Sequence, residues 1–245
     1  MTTSLTILIG AIATLVGVTA GPLIASKATA APPRQADQNA NSQKWRSDFK
    51  ISKKKLGPEG NNPYFPMTPG LVLEFKSADG QTSTRSVLEK TAVIDGVTVR
   101  VIVDRETNNG TLVEITRDYY ACDKSTGDVY YMGEDVDVYK DGKVVDHPAA
   151  WLSGKGGARF GLQLPGKISV GDAYYQEIAP KVAMDRVEIL EDMLTVKTPF
   201  KEFSNCLRVE ETTPLEKGKS TKWYAPGLGI VKDDELELVS VKMPK

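Results

Sequence analysis

Residues Val97-Thr98-Val99-Arg100-Val101-Ile102-Val103-Asp104 decide the fold class. Val97, Val99, Val101 and Val103 fall on one side of an extended chain, and Thr98, Arg100, Ile102 and Asp104 on the other, because successive side chains of a strand point to opposite faces. A β-branched row opposed by a mainly polar one reads as a strand with one face in a core. Leu71, Leu73 and Phe75 oppose Val72, Glu74 and Lys76 in the same way. Working outward, the turn signals Asp79-Gly80, Asp95-Gly96, Asn109-Gly110, Ser125-Thr126-Gly127 and Asp141-Gly142 recur at nearly even spacing. Each joins a residue that tolerates positive φ to a glycine that adopts it freely, as tight hairpins require. Five hairpins make six strands before residue 147, forming an antiparallel sheet expected to turn one face to a core and the other to water.

From His147 to Gly161 the alternation fails, and a long loop over one rim is expected. Pro165-Gly166 and Gly171-Asp172 then bracket further strands. Met184 to Leu194 fits a helix stripe through Val187, Leu190 and Leu194 or a strand through Val187 and Ile189, and the all-β context favours the strand. Ser204 to Glu211, Ser220 to Tyr224 and Glu235 to Val241 bring the total to about ten. Accumulated twist curls so long a meander. The expectation is therefore an all-β domain over residues 63–245, an antiparallel meander of about ten strands curved into an open or half barrel.

Two segments precede it. Leu5 to Ala20 is free of charge, and Ala28-Thr29-Ala30 supplies a small-x-small cleavage pattern, so residues 1–30 read as a signal peptide. The apolar run extended to Ala25 is also long enough for an uncleaved anchor, the only membrane contact expected. Either reading places the rest outside the cytoplasm, periplasmic or secreted. Residues 31–62, rich in Gln, Asn, Ser, Lys and Pro, read as a disordered linker. Of the 31 basic and 32 acidic residues in this chain of 245, eight basic and three acidic lie before residue 63, which leaves the domain at net −6. That field does not hold a polyanion, so nucleic acid is excluded as a partner.

In an exported chain Cys122 and Cys206 admit two readings, either one disulfide, worth about 4 to 5 kcal/mol by loop entropy, or two buried, separate thiols. With His147 as the sole histidine, held before Pro148 in an extended loop, neither a hydrolytic triad nor a zinc site has its usual spacing. Gly154-Lys155-Gly156-Gly157 matches no phosphate loop. Glu134, Asp135, Asp137 and Asp141 do not fit a calcium loop and read as a solvated strand face. No metal, cofactor or catalytic residue is therefore expected, and the chain reads as non-enzymatic. Convergent carboxylates in a cleft would reopen the enzyme reading.

Asn62-Pro63-Tyr64-Phe65-Pro66-Met67-Thr68-Pro69-Gly70, the Leu194 to Val209 stretch and Trp223-Tyr224-Ala225-Pro226-Gly227-Leu228-Gly229-Ile230-Val231-Lys232 carry a resemblance. The chain resembles a broad set of exported bacterial β-meander proteins of uncharacterised activity, with N-P-Y-F-P-x-x-P-G and Y-A-P-G-x-G-x-V-K motifs. The likeness implies an extracytoplasmic meander in a bacterial envelope and brings no activity. It departs at Pro199-Phe200-Lys201-Glu202-Phe203, which lacks the usual hairpin glycine.

Aromatic side chains suit a wet rim over an apolar floor. Trp151, Tyr174, Trp223 and Tyr224 are the candidate ligand-binding residues. The expected function is an exported binding module holding an apolar or amphipathic, lipid-like ligand on the concave face. The alternative is a structural or protein-interaction domain of the cell envelope without a small-molecule ligand.

Overall fold

The computed structural model describes residues 45–244. The expected signal peptide and the linker up to residue 44 lie outside them. Among the described residues the helical content is one 3-10 turn at Lys53–Lys55, and no helix is long and apolar enough to cross a membrane. The strands in chain order are β1 (Leu56–Gly57), β2 (Val72–Lys76), β3 (Gln81–Ile94), β4 (Val97–Asn108), β5 (Thr111–Asp123), β6 (Val129–Lys140), β7 (Lys143–Asp146) and β8 (Trp151–Leu152). After them come β9 (Arg159–Leu164), β10 (Ala173–Tyr175), β11 (Glu177–Ile178), β12 (Arg186–Lys197), β13 (Glu202–Thr212), β14 (Ser220–Ala225), β15 (Gly229–Asp233) and β16 (Leu236–Lys242).

All pair antiparallel, in the spatial order β10-β12-β13-β14-β15-β16-β2-β3-β4-β5-β6-β9-β11. The two ends of that series, β10 and β11, are separated in the chain only by Gln176, so the sheet curls into a nearly closed barrel. Gly161 on β9 makes the seam possible. A Cβ there would lie 2.3 Å from the Tyr175 carbonyl oxygen and 2.5 Å from that of Gln176.

The turns behave as their chemistry dictates. Asp95-Gly96, Asn109-Gly110 and Asp141-Gly142 have positive φ at both residues, the primed geometry whose twist matches the flanking strands. At Asp79-Gly80 and Thr126-Gly127 only the glycine does. The glycine-free hairpin at Pro199 is closed by Thr198, whose hydroxyl donates to the Lys201 carbonyl at 3.0 Å. The ambiguous Met184–Leu194 stretch resolves as strand β12 from Arg186 onward.

Three expectations need correction. The disordered linker does not extend to residue 62. From Trp45 the chain is built into the fold, with Arg46 bridged to Tyr174, β1 paired to the end of β5, and Phe49, Ile51 and Leu56 packed on the core. Asn62, 5% exposed, donates from its amide nitrogen to the carbonyls of Gly127 and Pro165. The lysine-rich composition hid isolated apolar anchors that each dock at a separate place. Second, of the two open readings of the cysteines the disulfide is the one that falls: Cys122 and Cys206 are separate, buried thiols. Their strands β5 and β13 are not neighbours. Cys122 shares its row with Tyr120, while Cys206 alternates with Leu207 and so sits on the other side of the wall.

The third correction concerns which face looks inward. In β2 the reading holds, since Leu71, Leu73 and Phe75 line the barrel interior. In β4 the interior row is Ile102, Asp104 and Glu106, and the valine row turns away from it. Val97, Val99 and Val101 are nonetheless buried. The wall is covered on its outer side too, where Phe49 meets Tyr130 edge-on at 6.1 Å and Phe160 meets it at 5.7 Å.

Candidate functional site

The barrel encloses a cavity of about 630 Å³, within the range of pockets that hold small molecules. Exposed Asp79, Asn108 and Asn109 on the hairpin tips mark one end, and buried Phe65 and Leu228 mark the other. Phe65 is carried inward by the N-P-Y-F-P segment, where Asn62 also accepts the Tyr64 backbone N–H at 2.9 Å. Its ring meets Tyr120 edge-on at 4.8 Å.

The lining has two characters. Leu71, just before β2, and Leu73 and Phe75 of β2, with Leu236 of β16, form an apolar sector. The lining contributed by β4, β5, β6, β11, β13 and β15 is rich in acids. Its first centre joins β3, β4 and β5. Arg85 pairs with Asp104 at 2.6 Å, and its guanidinium lies 5.6 Å from the Phe65 ring centre and 5.9 Å from that of Tyr120. Asp118 accepts the Tyr131 hydroxyl at 2.5 Å, and Tyr131 stacks on Tyr120 at 4.9 Å. Asp104 and Asp118 also interact carboxyl to carboxyl.

The second centre lies on β13, β14 and β15. Lys222 pairs with Glu211 at 2.5 Å and lies 3.9 Å from Asp233, while the Gln176 amide donates to Glu211 at 3.2 Å. Between the centres stand Glu134, Glu177 and Asp185; Glu177 accepts the Asp185 backbone N–H. Glu106 on β4 is paired across the ladder with Glu114 on β5, a like-charge juxtaposition that disfavours ionisation of both.

Burial is the largest influence on these acids, and mutual repulsion adds to it. Burial, then Asp104, lifts Asp118 to about 7 despite Arg85. Burial, then Glu211, lifts Asp185 to about 7. Asp233 stands near 7 and Glu106 near 8 for the same first reason. Glu134 and Glu177 are raised well above the ordinary carboxylate range, again by burial first and by neighbouring acids second. Burial works against the charge of Lys222, but Asp233 and Glu211 outweigh it and hold the ammonium protonated.

Of the four expected ligand-binding residues, only Tyr224 lines the cavity. Trp151, 5% exposed, packs edge-on against Tyr131 at 5.4 Å without reaching the free space. Tyr174 is wholly buried in the core, and Trp223 lies on the outer row under the Lys232 ammonium at 5.4 Å. His147 sits on the surface beside Asp137 at 3.0 Å. Of the Glu134, Asp135, Asp137 and Asp141 group read as solvated, Glu134 turns into the cavity, whereas Asp135 accepts the Tyr119 hydroxyl and Asp137 pairs with Arg117. Among the described residues no three His, Cys, Asp or Glu side chains converge as metal ligands would.

No family model matches the chain, and no curated protein does. Among solved structures, a candidate lipoprotein from Parabacteroides distasonis aligns over 75% of this chain and 100% of its own, at 15% identity and a TM-score of 0.38.

Proposed function

We propose that this chain is a non-enzymatic, exported binding module that takes up an amphipathic small molecule inside the barrel. One observation carries the reading: a cavity of about 630 Å³ lined by both apolar residues, on β2 and β16, and polar, mainly acidic ones. A domain serving only as scaffold has no use for such a space, since filling it with side chains gains dispersion energy and apolar burial. The extracytoplasmic setting rests on the uncharged Leu5 to Ala20 run and the Ala28-Thr29-Ala30 pattern. Native mass spectrometry of the protein purified from its own host tests the whole reading. A retained small molecule, lost on denaturation, is the expected result; an empty barrel that instead copurifies with an envelope protein favours the scaffold alternative.

A second reading draws on the Asp104–Asp118 carboxyl pair beside Tyr131. Paired carboxyl groups with displaced pKa values serve acid–base hydrolysis. Turnover of a glycoside or ester panel that disappears in Asp118→Asn would favour it.

A further inference from the structure

The charge balance of the cavity identifies what kind of molecule fits it. Among the described residues its cationic side chains are Arg85 and Lys222, and both are already engaged, Arg85 by Asp104 and Lys222 by Glu211 and Asp233. A fatty acid or phosphate would have to take a cation from a carboxylate partner and then face the remaining acids. Glu106, Glu114, Asp118, Glu134, Glu177 and Asp185, by contrast, have no cationic side chain within 4 Å among the described residues. A buried oxygen is the independent sign that the polar sector lacks a partner. Gln163, 6% exposed, lines the cavity, and there the Asp233 Oδ1 is buried with no hydrogen-bond partner among the described residues. A buried carboxylate oxygen left unpaired is unfavourable unless water or a ligand donates to it.

We propose, building on the binding-module reading, that the cavity accepts an organic cation: an amphipathic amine whose ammonium end lies against Asp118, Glu134, Glu177 and Asp185, and whose apolar part lies along Leu73 and Phe75. An ammonium offers three donors to carboxylates and to the Gln163 carbonyl. Tyr120, Tyr131 and Tyr224 line the same space, and aromatic rings suit a cation that leaves water. Among the described residues these acids do not converge as the ligands of a single metal ion would. Burial and crowding keep these carboxyl groups reluctant to ionise while alone, and an entering cation removes that penalty.

The test compares three probes with one chain length and different heads, dodecylamine, dodecanol and dodecanoate, by calorimetric titration of the full chain at neutral pH and fixed ionic strength. The amine is expected to bind about tenfold or more tightly than the alcohol, and dodecanoate more weakly than both. Glu134→Gln combined with Glu177→Gln is expected to bring the amine-to-alcohol ratio close to one. Should that pair fail to fold by circular dichroism, Asp118→Asn keeps the side-chain shape and reports on the same ratio. Equal affinity for amine and alcohol, or tighter dodecanoate, overturns the cation assignment while leaving a binding barrel in place. If none of the three binds, both readings fall.

Discussion

Strand β2 and the β4–β5 hairpin carry the same alternation in sequence and resolve it in opposite senses. In β2 the apolar row faces the cavity and Glu74 and Lys76 are exposed. In β4 the valines face away from the cavity and are buried all the same, while Asp104 and Glu106 point in. The difference lies in what covers the outer surface. Among the described residues Glu74 and Lys76 stay exposed, whereas the β4–β6 wall carries the Phe49 to Leu56 segment and Phe160 on its outer side. In β5 every residue from Asp118 to Asp123 is consequently buried, on both rows. A wall covered on one side must put its polar atoms outside; a wall covered on both is free to reserve its inner row for a ligand.

The sharpest way to break that contrast is to place a charge on the outer row of each strand. Val101→Lys, at a site 4% exposed, is expected to destabilise by about 4 kcal/mol or more, because an unpaired ammonium would be left in an apolar layer. Val72→Lys on β2 is expected to stay within about 1 kcal/mol. Urea melts of the two variants decide it. If Val101→Lys is mild, the β4 valine row is not covered.

Next in size is the cover itself. A chain that begins at Pro63, compared with one that begins at Trp45, loses the packing of Phe49, Ile51 and Leu56 and the buried hydrogen bonds of Asn62. The expected loss is about 3 kcal/mol or more, seen in a lower urea midpoint. A segment that were only a tether would leave the midpoint unmoved.

A smaller effect separates the inner rows by pH. The apolar β2 row is indifferent to protons, but Asp118, Asp185 and Asp233 stand near 7 and Glu106 near 8 in the folded chain. Those values are raised above the unfolded ones, so the stability these groups contribute is complete below about pH 4 and is lost as the pH climbs through 7 to 8. Arg85 with Asp104 and Lys222 with Glu211 face the same space and soften the loss. The ligand-free protein is expected to be more stable at pH 5 than at pH 8, by about 1 to 3 kcal/mol. Asp118→Asn, which still accepts from Tyr131, should flatten that slope. A profile rising from pH 5 to 8 would contradict the buried acidic row.

These particulars show how far the sequence was legible. Strand positions and hairpins follow from period-two patterning and from residues such as Asn109-Gly110, whose positive φ only a few side chains tolerate. Inward and outward do not follow, because alternation is symmetric: it separates two rows without saying which one meets the cavity. The acidic convergence was hidden a step further. Asn108 pairs Thr111 and Thr107 pairs Leu112, a register that would set Glu106 opposite Val113. A bulge then shifts it so that Glu106 meets Glu114. A one-residue shift of this kind transfers every side chain of a row, and nothing in the residues around Thr107 announces it. Trp151, Tyr174 and Trp223 do not line the cavity, for a simpler reason. Ring size marks Trp151 and Tyr174 equally as core or as rim, and packing alone assigned them to the core.

The smallest expected effect concerns the two thiols, and it tests the two-sided wall from within. Cys122 sits on the inner row of β5, yet it is closed off from solvent by the incoming chain at Gly60, where a Cβ would lie only 2.0 Å from its Sγ. Burial pushes that thiol up to about 11, so almost none is thiolate at neutral pH. Cys206 is equally inaccessible on the opposite row of β13, and burial raises it as well. Adding a reductant to the purified protein should therefore leave its melting temperature unchanged, and a thiol reagent should label neither site until denaturant is present, when both react. A melting temperature that falls with reductant would require a bond between two strands that are not neighbours and two side chains that point to opposite sides of the wall. The barrel seam and the inward row of β5 would then both have to be redrawn, because only a rotation of one strand about its axis brings those sulfurs within bonding geometry.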